Sequence, residues 1–235
     1  MKLLLTSNGI NNPELEKAFS DLTGNRKGLK MAIIHTASDP INWVPSKEDP
    51  KKYVAVVAED RVEKNKKWRD SCVKEFEDKG FKVILVDLTK NPEEVRAKLE
   101  SVDVINVTGG DVNYLLDWAK KAKLDTYLKD LLDKGVIYTG ASAGNGILMP
   151  DIGLTWWKLG EDVDHIGFGI VDFIMQVHVK ENDETFNTEN LIKRKKYLQS
   201  VINFPWKIYL VQDGQAIKVD GDKVEHIGPG VKKFI

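Results

Sequence analysis

Short apolar runs alternate with amphipathic stretches from the start of the chain to Gly140. Each run is rich in Leu, Ile and Val and spans only a few residues, which is typical of a buried strand rather than a helix. The pattern predicts strands over residues 2–6, 30–37, 81–88, 102–110 and 136–140.

The stretches between these runs have helical character. Asn12 is the expected N-cap of the first helix and Pro13 its first residue, and the segment NPEEVRAKLE repeats this Asn-Pro start. Residues 51–79 are mostly helical in pattern and end at Gly80, a suitable helix C-cap. Two further amphipathic helices are predicted over residues 112–122 and 125–135.

Alternating strands and helices predict an α/β fold whose mostly parallel sheet carries helices on both faces. After Leu148 the pattern changes to strands and hairpins, with Asp220-Gly221 as the turn of a C-terminal β-hairpin. We find no repeat and no linker, so we expect one domain over residues 1–235. The irregular segment Ser38–Asp49 follows the second strand, where clefts form in such sheets.

Composition narrows the class of protein. The 235 residues include 42% apolar and 30% charged side chains, and the net charge of −1 offers no electrostatic footprint for nucleic acid. No apolar run approaches the roughly 20 residues of a membrane helix, and the first residues are too polar for a signal peptide. We therefore expect a cytoplasmic protein without a membrane partner. The single cysteine, Cys72, is expected to pack on a helix.

Two turns of small residues follow predicted strands, at the edge where ligands bind in open α/β sheets. One is Gly109-Gly110-Asp111, and the other places Ser142 within the motif GASAG. Such a serine is either part of a tight structural turn or a nucleophile held at a strand-to-helix elbow. In the second case, the backbone N–H groups of Gly110 and Ala143 would form an oxyanion hole.

A nucleophilic serine needs a base, and His178 is the best-placed of the four histidines. It follows the apolar run IVDFIM, at the end of the next expected strand, whereas His35, His165 and His226 have structural or surface positions. Spacing alone selects no acid among the carboxylates between the serine and this histidine. These are Asp151, Glu161, Asp162, Asp164 and Asp172.

The segments TGGDVNYLLDWAKK, GVIYTGASAGNGILMPDIG and GIVDFIMQVHV resemble the S51 serine peptidase family, which includes aspartyl dipeptidase and cyanophycinase. The resemblance covers roughly residues 109–227 by motif. It implies a sheet like that of class I glutamine amidotransferases and no cofactor or metal. It also implies Ser142 as nucleophile, His178 as base, and Gly110 and Ala143 as the oxyanion hole.

Two positions depart from the family pattern. Val177 stands where a proline often precedes the catalytic histidine, and Trp157 aligns with the aspartate of the peptidase E triad. The acid is therefore either displaced, to Glu161 or to Asp162, or missing. Candidate substrate contacts are Asp111, Trp157 and Arg194.

The leading hypothesis is a serine peptidase that hydrolyses short peptides. The alternative is a binding or regulatory module on the same fold with a decayed triad. A third reading, an amidotransferase-like enzyme with a cysteine nucleophile, is disfavoured because the elbow holds serine. The expected partner is a small peptide substrate, and the chain is expected to be either a monomer or a homodimer.

Overall fold

A computed structural model describes residues 1–49, 52–152, 165–180 and 205–235, together with residues 192, 193, 195, 196 and 199. Within these residues, the strands are β1 (Lys2–Thr6), β2 (Lys30–Ile34), β3 (Ile41–Pro45), β4 (Tyr53–Val57), β5 (Lys82–Val86), β6 (Val104–Val107), β7 (Ile137–Ala141), β8 (Phe173–Gln176), β9 (Lys207–Leu210), β10 (Ala216–Asp220), β11 (Lys223–Ile227) and β12 (Lys233–Phe234). The α-helices are α1 (Pro13–Thr23), α2 (Val62–Asp78), α3 (Pro92–Glu100), α4 (Val112–Lys121), α5 (Leu128–Asp133) and α6 (Ala143–Gly146).

In the described part of the chain, the main sheet has seven strands in the order β11-β10-β1-β7-β6-β2-β5. Five neighbouring strands of this sheet, β1, β7, β6, β2 and β5, are parallel, while β10 and β11 are antiparallel strands at one edge. The expected α/β sheet and its C-terminal hairpin are thus confirmed. Because the central strands are parallel, their carboxyl ends all meet at one edge of the sheet.

Alternate residues of the central strands enter two separate apolar clusters, one on each face of the sheet. Leu3 and Leu5 pack with helices α3, α4, α5 and α6, whereas Leu4 packs with α1 and α2. Successive side chains of a strand point to opposite faces, so strands buried on both sides must be apolar at every position. This explains the continuous apolar runs in the sequence.

Asparagine-proline pairs start two helices as predicted. The side chain of Asn12 accepts hydrogen bonds from the N–H groups of Glu14 and Leu15. Asn91 does the same for Glu93 and Glu94 at the start of α3. An asparagine cap satisfies N–H groups that have no partner within the helix, while proline at the first position loses nothing.

The segment before α2 differs from the prediction. Residues 53–57 were expected to be helical and Ser38–Asp49 irregular, but β3 and β4 form an antiparallel hairpin apart from the main sheet. Strand β4 is mostly exposed, β3 is mostly half-buried, and neither contains a buried residue, so both lack the burial pattern of the central strands. The helical part begins only at Val62.

In the part of the chain that the structure describes, a second, three-stranded sheet contains β8 and β9, which lie between α6 and β10 in the chain, together with β12. Strand β8 pairs in parallel with β9, and β9 pairs with β12. The strand expected around the apolar run IVDFIM spans Phe173–Gln176. No helix in the described residues combines the length and the apolar character needed to cross a membrane.

Candidate active site

Ser142 lies at the carboxyl edge of the sheet, in a backbone conformation that costs energy. It directly follows β7 and precedes α6, with φ of 49° and ψ of −107°. A non-glycine residue in such a region stores about 1–3 kcal/mol of strain, which the surrounding structure must offset. This strand-to-helix geometry is that of a nucleophile elbow.

Hydrogen bonds from three directions hold the elbow in place. The N–H of Ser142 donates to the carbonyl of Thr6 at 3.1 Å, and its own carbonyl accepts from the N–H of Asn145 at 3.0 Å. The side-chain amide of Asn145 also donates to the Thr6 carbonyl at 2.7 Å. The buried hydroxyl of Tyr138 donates to the carbonyl of Gly144. The end of β1 thus anchors the serine.

The small residues around the serine are required by close backbone approaches. A Cβ atom on Gly140 would lie 2.6 Å from the side-chain oxygen of Asn145. A Cβ atom on Gly144 would lie 2.3 Å from the carbonyl oxygen of Val107 on the neighbouring strand. The motif GASAG therefore serves packing as well as chemistry, because both glycines let the elbow sit directly on the sheet.

The Gly109-Gly110 turn lies against the serine. A Cβ atom on Gly109 would be 3.4 Å from the Cβ of Ser142. Gly110 has a φ of 144°, and a Cβ there would lie 1.9 Å from the carbonyl oxygen of Ala37. Ala143 is the first residue of α6, where a backbone N–H has no partner within the helix. The two predicted oxyanion donors are thus on turns that flank the nucleophile.

His178 and Ser142 are within hydrogen-bond distance. The distance between His178 Nε2 and Ser142 Oγ is 2.9 Å, although the residues are far apart in sequence. His178 follows β8 and has a positive φ of 57°. A serine hydroxyl at this distance from an imidazole nitrogen can transfer its proton to it.

The other ring nitrogen of His178 faces Asp213, a residue that the sequence reasoning missed. The distance between Nδ1 and Asp213 Oδ1 is 2.7 Å. The contact follows from the pairing of β8 with β9, because backbone hydrogen bonds between the two segments continue beyond the ends of both strands. There Val211 N–H donates to Gln176 and Val179 N–H donates to Val211, at 2.8 and 3.2 Å. A carboxylate at this nitrogen holds the imidazole in the tautomer that can accept a proton at Nε2.

Asp213 lies at the ring nitrogen where the sequence predicted Glu161 as the acid, with Asp162 as the alternative. Both of these lie outside the described residues, as do Trp157 and Arg194. Asp213 follows His178 in the chain, outside the segment between the serine and the histidine in which an acid was expected, and the acid of a triad can follow either one. The turn signal Asp213-Gly214, directly before a predicted strand, was the available clue.

Of the predicted substrate contacts, Asp111 lies within the described residues, where its carboxylate accepts two hydrogen bonds from the protein. One carboxylate oxygen accepts the N–H of Tyr114, so Asp111 is the N-cap of α4. The other accepts the indole N–H of Trp43 at 2.6 Å. Asp111 therefore connects the β3–β4 hairpin to the start of α4 beside the Gly110 turn, and its contact with a substrate stays a prediction.

The remaining histidines lie elsewhere. His35 is buried next to Arg69, and His165 pairs with Asp151 at 3.1 Å. His226 contacts Gln215 at 2.9 Å, and its burial and then the nearby Lys232 lower its pKa from 6.5 to about 4.

Cys72 sits half-buried on α2, where burial and then Glu75 raise the pKa of its thiol. A raised pKa disfavours the thiolate that a cysteine nucleophile needs. Within the described ranges, no group of three or more His, Cys, Asp or Glu side chains is placed to hold a metal ion.

Comparisons with known proteins bear on the family and on the fold of this chain. The model of peptidase family S51 matches residues 3–227. A crystal structure of a proposed peptidase E protein from Listeria monocytogenes EGD-e is similar, with a TM-score of 0.65 and 24% identity, covering 97% of this chain and 98% of that one. The structure of a peptidase from an acI-B1 Actinobacterium gives a TM-score of 0.64 at 17% identity, covering 100% of this chain and 93% of that one. A search of curated proteins found no match.

Proposed function

Since this chain belongs to peptidase family S51, we propose that it is a serine-type peptidase that hydrolyses short peptides. The observation that carries the proposal is the pair of contacts made by His178. Its Nε2 lies 2.9 Å from Ser142 Oγ and its Nδ1 lies 2.7 Å from Asp213 Oδ1. These contacts support a catalytic triad in which Ser142 is the nucleophile, His178 the base and Asp213 the acid that orients the base.

In the first half of the proposed reaction, Ser142 Oγ attacks the peptide carbonyl carbon while His178 Nε2 takes the hydroxyl proton. The tetrahedral intermediate collapses as the imidazolium gives this proton to the leaving amine, which leaves an acyl group on Ser142. In the second half, His178 accepts a proton from water, and the hydroxide attacks the acyl carbon. The proton then returns to Ser142 as the carboxylic acid departs.

Backbone N–H groups stabilise the negative charge that develops on the carbonyl oxygen. We assign this role to Gly110 and Ala143, whose turns flank the serine. Removal of one such donor typically costs about 100- to 1,000-fold in kcat, so these groups carry much of the expected rate enhancement.

A short substrate suits the surroundings of the serine. The β3–β4 hairpin is fastened to Asp111 through Trp43, directly beside the Gly110 turn. Arg61 and Asn65 hold the same segment through contacts to Ile41 and Ser38. An extended polypeptide would have to pass this hairpin, whereas a dipeptide needs only the space near the serine.

The alternative, a binding module with a decayed triad, was motivated by Trp157 and Val177. The contacts of Asp213 weigh against it, because an acid is present at His178 without a contribution from the region of Trp157. The alternative predicts that the serine is unreactive, so the same experiments distinguish the two functions.

Hydrolysis of a panel of dipeptides tests the proposal. The panel contains Asp-X and neutral-X members and is assayed with wild-type protein and with Ser142→Ala. We expect at least one member to be hydrolysed by wild type and none by Ser142→Ala above the uncatalysed rate. Equal turnover by both proteins would contradict the assignment of Ser142.

A further inference from the structure

Ser7 is buried beneath the proposed catalytic residues. It follows the last residue of β1 and has no exposed surface. Its backbone is tied to the sheet, since its N–H donates to the carbonyl of Gln215 at 3.0 Å. The preceding residue, Thr6, receives the N–H of Ser142. Ser7 therefore sits at the hydrogen-bonded end of a central strand, directly beside the elbow.

The hydroxyl of Ser7 makes hydrogen bonds to both His178 and Asp213. It donates to Asp213 Oδ1 at 2.8 Å, the same oxygen that faces His178 Nδ1. It accepts a hydrogen bond from the backbone N–H of His178 at 2.9 Å. One hydroxyl has a single proton to donate and lone pairs to accept with, so both bonds form together.

His178 and Asp213 need such a hydrogen-bond partner because their half-exposed side chains are not held in place by packing. The side chains of His178 and Asp213 are 46% and 53% exposed. Exposed charged pairs are weakened by water and by salt, and they do not hold a fixed geometry on their own. His178 also has a positive φ of 57°, a backbone conformation that is unfavourable for a non-glycine residue without stabilising contacts. A buried hydroxyl that hydrogen-bonds to both residues can fix their positions, as burial of the acid does in other triads.

We propose that Ser7 is a positioning residue that fixes His178 and Asp213 relative to Ser142. The inference rests on the proposed serine-type function and deepens it, since Ser7 acts through the other residues and touches no substrate. Neighbouring contacts serve the same turn: Gly214 N–H donates to Asn8, and the side-chain amide of Asn12 donates to the Gly214 carbonyl. The loop after β1 thus clamps the turn that carries the acid.

The test compares the rate at which a small fluorophosphonate labels Ser142 in wild type and in Ser7 variants. Saturation kinetics separate probe affinity, KI, from the chemical step, kinact. Ser7→Ala removes the hydroxyl, and Ser7→Thr retains it. Ser7→Cys has nearly the same size but is a weak donor, and it carries the test should Ser7→Ala not fold. Thr23→Val is the control, because it removes a buried hydroxyl that donates to the carbonyl of Ser20 on α1, away from the proposed site.

We expect Ser7→Ala or Ser7→Cys to lower kinact by about 10- to 100-fold with KI nearly unchanged, since a small misplacement of catalytic groups has effects of this size. Thr23→Val should label like wild type, and Ser7→Thr should recover most of kinact. The NMR signal of the His178 Nδ1 proton should be sharp in wild type and broadened by exchange in the variants that lack the hydroxyl.

Each other result counts against a specific claim. Unchanged kinact and an unchanged Nδ1 proton signal in a folded Ser7→Ala protein would overturn the role of Ser7 and leave the proposed peptidase intact. An equal loss in Thr23→Val would show a general effect of destabilisation and overturn the inference as well. Wild-type protein that is not labelled at Ser142 would overturn the proposed function, and the role of Ser7 with it.

Discussion

Replacement of Asp213 by asparagine should separate catalysis from stability. Asparagine has nearly the same shape but no charge. Its amide can orient His178 with the wrong nitrogen protonated, and it cannot stabilise the imidazolium that forms when Ser142 gives up its proton. We therefore expect kcat to fall, while the folded state stays almost as stable as that of wild type.

The exposure of the pair determines the size of the effect. Asp213 Oδ1 lies 2.7 Å from His178 Nδ1, and about half of each side chain is exposed. Two opposite charges about 4 Å apart attract by about 1 kcal/mol in bulk water and by about 4 kcal/mol near a protein surface. Each 1.4 kcal/mol in a barrier is about a factor of ten, so kcat should fall by about 5- to 1,000-fold. A buried acid in this role is worth about 10,000-fold, so the loss here should be smaller.

The assay measures kcat and KM separately on the best dipeptide substrate, together with the free energy of unfolding in urea. Asp220→Asn is the matched control, because Asp220 is an exposed aspartate at the opposite end of β10. We expect Asp213→Asn to change the unfolding free energy by less than about 1 kcal/mol, as is usual for exposed pairs. Wild-type kcat in Asp213→Asn, or an equal loss in Asp220→Asn, would refute the assignment of the acid.

Three further predictions concern stability. Gly110→Ala should lower stability by at least about 2 kcal/mol in thermal unfolding, because its Cβ would lie 1.9 Å from the Ala37 carbonyl oxygen; Gly24→Ala, with nothing within 4 Å, should cost only about 1–2 kcal/mol. Tyr138→Phe should cost about 0.5–1.5 kcal/mol in urea unfolding through the lost bond to Gly144, and no loss would contradict that bond. Because the pKa of His226 is about 4 in the folded protein and 6.5 when unfolded, the unfolded state binds more protons between these values. Stability should therefore decline as the pH falls from 6.5 to 4, and less so in His226→Gln; identical pH dependence of the two proteins would count against this effect.

Much of the fold is readable from the sequence because burial leaves a clear pattern. Strands buried on both faces must be apolar throughout, and Asn-Pro pairs mark helix starts, so the central strands and helices and their succession along the chain are predicted correctly, whereas the order of the strands in the sheet is not predicted. The β3–β4 hairpin is different, since it lies outside the main sheet and has no fully buried residue on either strand. No burial pattern marked Tyr53–Val57 as a strand, and its proximity to α2 suggested a helix.

The site is only partly readable for a related reason. Ser142 stands out because a strained elbow on a sheet needs small neighbours, and these leave a motif in the sequence. Asp213 leaves no such motif, because its place depends on how β8 and β9 pair and where β10 begins. The antiparallel β10 starts at the edge where β1 ends, with Ala216 opposite Thr6. An acid just before β10 therefore reaches the carboxyl edge of the parallel strands.

Mass-spectrometric mapping of the residue modified by a small fluorophosphonate tests the central claim most directly. The account predicts a single modified residue, Ser142, in wild type, and no modification in Ser142→Ala. It also predicts much slower modification in His178→Ala, because the base that activates the hydroxyl is missing. An unmodified Ser142 in folded wild-type protein, or modification at the same rate without His178, would contradict it.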